Sequence, residues 1–235
     1  MRCFAIILIQ ALLLSGILYS CKKKTTATLN LGYDYFPLEN GNYIIYRLDS
    51  LYYNDFTGSI DTFRFEVKEK VTETYTDAAG QSTARIERYY RKSSSENWEI
   101  QDVWTANLNP SSAEKTEENQ RFVKISFPAK KNIVWDGNRF NALGRQDYKI
   151  ESAGQALNLA SVSFDSTLLV KQKADSNLIR LEVAYEVFAK KIGLVYKKFV
   201  YLEDRDSIVD YTKPLRSRVD YGFDYTYTYL THGKE

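Results

Sequence analysis

The chain is poor in the residues on which most enzyme chemistry depends. Among 235 residues there are one histidine, two cysteines, one methionine and four prolines. His232, three residues from the end, reads as a solvated tail. With no second histidine, zinc sites of the usual nitrogen and sulfur type are excluded, Cys-His pairs go with them, and a Ser-His-Asp arrangement is disfavoured. No glycine pattern matches a phosphate loop or a dinucleotide fingerprint. Neither sign of charge dominates: 32 Lys and Arg stand against 30 Asp and Glu, interspersed throughout, for a formal charge of +2. That balance argues against a nucleic-acid partner. Repeats, heptads and low-complexity tracts are missing, as is any apolar run of the roughly 20 residues that a membrane-spanning helix needs.

What is present begins at the amino terminus. Met1-Arg2 supplies a short positive start, and Phe4 to Leu18 an apolar stretch broken only by Gln10, Ser15 and Gly16. This is the core of a signal peptide. Leu18-Tyr19-Ser20-Cys21 closes it and resembles the lipobox of bacterial lipoproteins, with Tyr19 a bulky occupant of a tolerant position. The resemblance implies cleavage before Cys21 and acylation of that cysteine with palmitate-type chains, which hold a protein on a bilayer stably when two or more are present. The expected organisation is a signal peptide over 1–20, a lipidated cysteine and tether over 21–31, and a single β domain over 32–235. Cys3 leaves with the signal and Cys21 carries lipid, so no disulfide forms within the mature chain. Loss of Arg2 leaves a formal charge of +1. Lys22, Lys23 and Lys24 either sit against anionic head groups or form a solvated tether. Lysines stand where a surface-export signal carries acidic residues, so the expected location is the outer membrane facing the periplasm, with surface exposure left open.

Nineteen tyrosines, twelve phenylalanines and three tryptophans point to β-strands, where aromatic and branched side chains pack best. Asp61 to Val71 alternates, with Phe63, Phe65, Val67 and Val71 on one side and Thr62, Arg64, Glu66, Lys68 and Lys70 on the other, the pattern of a strand with one buried face. Tyr43 to Tyr53 has a mixed period, from burial on both faces or from a bulge. Further strands are expected over 84–91, 98–105, 121–127, 162–172, 178–189, 194–203 and 216–230. Leu108 to Glu118 reads as a polar breaker, and 129–161 as an irregular excursion with one short strand at 147–151. About nine strands joined by short turns such as Asp77–Gln81 make a single antiparallel meander sheet, because parallel neighbours need long crossovers.

Tyr221, Phe223, Tyr225, Tyr227 and Tyr229 share one face of the last strand. They form either a cross-strand packing ladder or the aromatic wall of a cleft for an apolar or glycan ligand, a role that suits an amphipathic ring. Carboxylates are numerous enough for a glycosidase-type pair, but Glu182 and Glu186 are better explained as a solvated strand face. Asp204 and Asp206 are better explained as a turn, since a calcium loop at Glu203-Asp204-Arg205-Asp206 lacks the rest of its ligands. No metal ligand, cofactor or catalytic residue is assigned.

Tyr35-Phe36-Pro37-Leu38-Glu39-Asn40-Gly41-Asn42-Tyr43, Trp135-Asp136-Gly137-Asn138, Asn141-Ala142-Leu143-Gly144 and Tyr185 to Lys197 are similar to motifs of uncharacterised envelope lipoproteins of Bacteroidota. The resemblance spans most of the mature chain and implies a strongly curved sheet or half-barrel, by analogy with periplasmic lipoprotein carriers. It brings no catalytic residue with it. The function expected is a non-catalytic binding or carrier module, anchored to the membrane through Cys21 and holding an apolar or glycan ligand, with Tyr221, Tyr225 and Tyr229 the first residues to test. The alternatives are a structural or assembly subunit with an envelope protein partner and, third, a carboxylate-dependent hydrolase.

Overall fold

In the computed structural model, residues 30–206 and 208–235 are described. Cys21 and the signal-like segment lie outside them. Residues 31–235 form a unit with its own sheet and core. After a 3-10 turn at Tyr33–Tyr35 come twelve strands: β1 Asn42–Asn54, β2 Ser59–Thr76, β3 Ser82–Arg91, β4 Glu99–Leu108, β5 Ser112–Glu117, β6 Gln120–Ser126, β7 Val134–Asp136, β8 Asp147–Leu159, β9 Val162–Ser176, β10 Arg180–Ala189, β11 Gly193–Glu203 and β12 Tyr221–Lys234. All pair antiparallel in one sheet of order β6-β5-β4-β3-β2-β1-β12-β11-β10-β9-β8-β7. The pairing is a meander from β1 to β6 and from β7 to β12, and the two runs join where β12 pairs β1. Turn chemistry fixes several hairpins. Asp77 Oδ1 accepts from the N–H groups of Ala79 and Gln81, and Asn177 Oδ1 from those of Ile179 and Arg180, so a short polar side chain reverses the backbone in each case.

The sheet curls until its edges meet. The Val123 N–H of β6 donates to Gly137 O just after β7 at 2.8 Å, and Trp135 Nε1 of β7 donates to Val123 O at 2.8 Å. Twelve strands in a nearly closed barrel replace the expected nine in a half-barrel, for reasons visible in the missed elements. β5 reads Ser-Ala-Glu-Lys-Thr-Glu and was expected to be a polar breaker, yet its first four residues are buried. Its inward charges pair across the lumen, which a hydrophobic pattern cannot register. β7 has three residues, below the length at which alternation shows, and β8 runs to Leu159 through three register shifts that scramble its period. The last strand starts at Tyr221 instead of 216, because Pro214 leads into a 3-10 turn at Leu215–Ser217, and it continues to Lys234 against β1.

Inside, the odd residues of β2 face the lumen: Val71 pairs Ile86 and Glu69 pairs Arg88. One end of the lumen holds the main apolar cluster, in which Ile125, Ile150, Leu168 and Val170 are fully buried. Each such side chain contributes roughly 1.5–3 kcal/mol by leaving water. The 3-10 turn and the residue after it close this end, with Tyr35 Oη bonded to Ser166 Oγ at 2.9 Å and Phe36 against Phe188. Two smaller clusters complete the packing, one around Phe164, Val187 and Val195 and one that combines Leu51, Tyr53, Val200, Leu202 and Val219. β1 therefore buries both faces, Tyr46 and Tyr53 lying at opposite parity, and this is the source of its mixed period; its pairing with β2 runs without a shift.

Candidate functional site

Midway along the lumen the inward residues are charged. Glu69 on β2 accepts from Lys115 Nζ of β5 at 2.7 Å and from Arg88 Nε of β3 at 3.2 Å. Arg88, 4 % exposed, also donates to Asp102 Oδ2 at 2.8 Å and to Tyr227 Oη at 3.1 Å, and its guanidinium lies 3.6 Å from the Trp104 ring centroid. Lys124 on β6 reaches Glu117 Oε1 at 3.0 Å and Glu186 Oε1 of β10 at 2.9 Å. Lys197 on β11 lies 3.8 Å from Glu117 and 3.6 Å from Glu186. Four cations thus alternate with four carboxylates in a belt that ties β2–β6 to β10–β12. The expectation of a solvated face at Glu186 is corrected here: the residue is 1 % exposed, because closure of the barrel turns that face of β10 inward. Glu182, two positions towards the opposite end, pairs Lys173 and Arg180 and stays half-exposed.

Neighbouring charges hold several belt groups in their charged forms. Burial alone would push the Glu117 carboxyl up, but Lys124, Lys197 and Lys115 together hold it well below the usual carboxylate range. Glu69 is held down in the same way, against its burial, by Lys115 and Arg88. Burial would lower Lys124 and Lys197, and the Glu117 and Glu186 charges instead raise both. Tyr46, enclosed beside Glu69 and Glu186, is raised by its burial and by those charges, and burial pushes Tyr148 up to about 12. Carboxyls held low are the reverse of a general acid, which needs its proton at neutral pH.

Above the belt lies a cavity of about 340 Å³, within the range of small-molecule sites. Its floor is Tyr46, Glu69, Lys115, Glu117, Lys124 and Glu186; its walls include Phe36, Leu38, Ile44, Ile86, Phe188 and Leu194. The floor residues Tyr46 and Glu186 are fully buried, whereas Leu38, Ile44 and Leu194 are half-exposed, so the mouth is apolar and the depth polar. Strand pairing explains the opening. β11 pairs β12 only from Tyr196↔Thr228 to Glu203↔Tyr221, while β12 follows β1 on to Lys234, with Leu230 bulged between two register positions. The two strands part, and Gly193, Leu194, His232 and Gly233 border the gap. Gly193 has φ +102° and its Cα hydrogen faces Ile44 and Pro37, a conformation that a side chain would strain. Tyr46 Oη donates to Leu194 O at 3.1 Å across the gap. His232, expected in a solvated tail, is exposed but held in β12, with Nδ1 2.6 Å from Tyr229 Oη at the mouth.

Of the aromatic stripe on β12, none lines this cavity. Tyr221, Phe223, Tyr225 and Tyr227 form cross-strand contacts on the lumen side of the belt's other flank. Phe199 stacks on Tyr225 with centroids 5.0 Å apart, and Tyr52 stacks on Phe223 at 5.1 Å. Tyr46 meets Tyr227 edge-on at 5.8 Å. Tyr229 departs from the group and packs edge-on against Phe164. All five are half-buried. Phe63 of β2, 44 % exposed, pairs Ser50 of β1, which pairs Tyr225, so it shares with the first four rings one half-open aromatic face, the trough.

Asp204, Asp206 and Asp220 bring carboxylate oxygens within 4.8 Å of one another. Asp204 is engaged by Arg218, its Oδ1 accepts from the Asp206 N–H and Asp220 Oδ2 accepts from the Arg205 N–H, so the group serves the loop between β11 and β12. Among the described residues no helix is long and apolar enough to cross a membrane.

The charged belt is what sequence reasoning missed. One signal was legible: Glu69 occupies the core parity of β2, between Val67 and Val71, where an unpaired charge would be prohibitive.

No family model matches the chain, and no curated protein is significantly similar to it in sequence. Two solved structures resemble it. One is of a protein taken to be exported, with a YmcC-like fold, from Bacteroides fragilis, at 10% identity and a TM-score of 0.44. The other is of a protein taken to be a lipoprotein from Parabacteroides distasonis, at 10% identity and a TM-score of 0.38. Each alignment covers 85% of this chain and 98% of the other.

Proposed function

We propose that the protein is a non-catalytic binding or carrier module of the bacterial cell envelope, anchored through an acylated Cys21, that holds the apolar part of a small ligand in the cavity above the belt. The anchor is supported by the signal-like run and the lipobox-like Leu18-Tyr19-Ser20-Cys21. The cavity carries the binding reading: it is bordered by apolar side chains and open through a gap in strand pairing. The chain enters the β domain at the same end, since Phe36, Pro37 and Leu38 follow directly from Leu31 and line the cavity. The ten residues from Cys21 to Leu31 span at most about 35 Å when fully extended, so the mouth lies within reach of the membrane from which an apolar ligand is drawn. An outer-membrane position facing the periplasm fits this reading.

Native mass spectrometry of residues 22–235 purified from a bacterial host tests it. The expected result is mass in excess of the chain that vanishes in Leu38→Trp, which fills the mouth without touching the belt. A clean mass for the wild-type fragment, even after incubation with a total lipid extract, overturns the reading.

A further inference from the structure

Resting on the cavity as a ligand site, we infer its selectivity: it takes an amphiphile whose polar end donates hydrogen bonds, a hydroxyl or an ammonium, and excludes one that ends in an anion. Glu186 carries this inference. Its Oε1 receives Lys124 at 2.9 Å, with Lys197 at 3.6 Å. Its Oε2 is buried and has no hydrogen-bond partner among the described residues. Elsewhere in the floor the acceptors are engaged: Glu69 faces Arg88 with one oxygen and Lys115 with the other, and Glu117 faces Lys124 and Lys197. A buried carboxylate oxygen without a donor is destabilising, and an incoming donor removes that penalty.

The charge of the wall points the same way. Glu39, Lys191 and Lys234 border the cavity where they are exposed to solvent; at its buried depth three carboxylates, on Glu69, Glu117 and Glu186, stand against two lining ammonium groups, on Lys115 and Lys124, and both lysines are already committed to those carboxylates. An anionic head at this depth meets like charge with no free cation to pair it, and like charges brought together in a desolvated site repel. A hydroxyl or ammonium instead places its proton on Glu186 Oε2. The alkyl part then lies back along Phe36, Ile86 and Phe188 towards Leu38 and Ile44 at the mouth.

Three probes of one chain length, 1-decanol, decylamine and decanoate, separate the possibilities when each is added to residues 22–235 and followed by thermal shift and native mass spectrometry. Decanol and decylamine are expected to give one-to-one adducts and to raise the melting temperature, with decanoate at least tenfold weaker. Glu186→Gln, which replaces one acceptor oxygen by a donor, should weaken decylamine at least tenfold, because an ammonium only donates whereas a hydroxyl also accepts, and narrow its gap to decanoate. Decanoate binding as well as decanol, or a folded E186Q that binds decylamine unchanged, overturns the selectivity while leaving the cavity reading intact. Failure of all three to bind overturns both. Should E186Q not fold, the order of the three probes on the wild-type fragment still decides, with Leu38→Trp, expected to block all of them, as the control that they enter through this mouth.

Discussion

The belt and the aromatic end of the lumen are built on opposite principles. On one side of Tyr227 the inward residues are charges that are buried and depend on one another: Lys124 serves Glu117 and Glu186, Lys197 serves the same two, and Arg88 serves Glu69, Asp102 and Tyr227. On the other side, Tyr221, Phe223 and Tyr225 are rings in stacked or edge-on contact with one another or with neighbouring strands, half-buried. The belt is enclosed, and a buried ion pair does not tolerate the loss of a partner. The aromatic end can stay open because an aromatic pair loses only its own contact when a neighbour is removed. A cavity with a fixed, selective floor therefore belongs beside the belt.

The largest effect expected is on the belt. Lys124→Met leaves Glu186 with Lys197 at 3.6 Å and Glu117 with Lys197 and Lys115 at 3.8 and 3.9 Å, all beyond hydrogen-bond distance, and breaking a buried pair from one side costs about 3–5 kcal/mol. For a domain of this size that is a fall in melting temperature of roughly 6–20 °C. Adding Glu186→Met should recover at least about 1 kcal/mol, since contacting partners are not additive. Urea unfolding of the two single variants and the double variant measures this directly, and additivity would show that the belt is no network.

Acid should expose the same difference. Glu117 and Glu69 are depressed in the folded state, so each contributes stability that is present above the unfolded glutamate value of about 4.3 and is lost as pH falls through the folded value. The belt lysines run the other way: Lys124 and Lys197 are raised, so their contribution is complete below about 10.4 and is lost as pH rises beyond it. The protein should hold a plateau in urea midpoint between these limits and decline below about pH 4.5. Glu117→Gln should flatten the acid limb, and an unchanged limb would place the titration elsewhere.

How much of this was legible in the sequence depends on which region is considered. The aromatic stripe of β12 and the alternation of β2 announce strands, because apolar and aromatic side chains at period two mean the same thing on any sheet. β5 was invisible, since Lys115 and Glu117 look solvated until β2, β6 and β11 bring Glu69, Lys124 and Lys197 to meet them. Glu186 misled for the same reason: a carboxylate on a strand is read as wet unless its cation, here 62 residues away on Lys124, is known to face it. The cavity was out of reach for another cause. It exists because β11 and β12 part beyond Tyr196, a feature of pairing that no single strand encodes.

Between the two regions stands Tyr46, buried in the belt and joined to the gap. Tyr46→Phe removes the bond to Leu194 O and should cost about 1 kcal/mol. Hydrogen exchange at the amino end of β11 should rise with it if this bond pins the strand where its pairing with β12 has stopped. Protection that is unchanged there would mean that Gly193 and the turn before it hold the gap unaided.

The smallest effects are expected in the trough, and their arithmetic is the sharpest test of the contrast. Phe199→Leu breaks the stack on Tyr225 and Tyr52→Leu the stack on Phe223. Each should cost about 0.5–1.5 kcal/mol. The two pairs share no ring, so the double variant should equal the sum of the singles within about 0.5 kcal/mol, where K124M and E186M do not. If the trough pairs couple as strongly as the belt, the open end is a cooperative core in its own right, and the division of the lumen into a dependent half and an independent half fails.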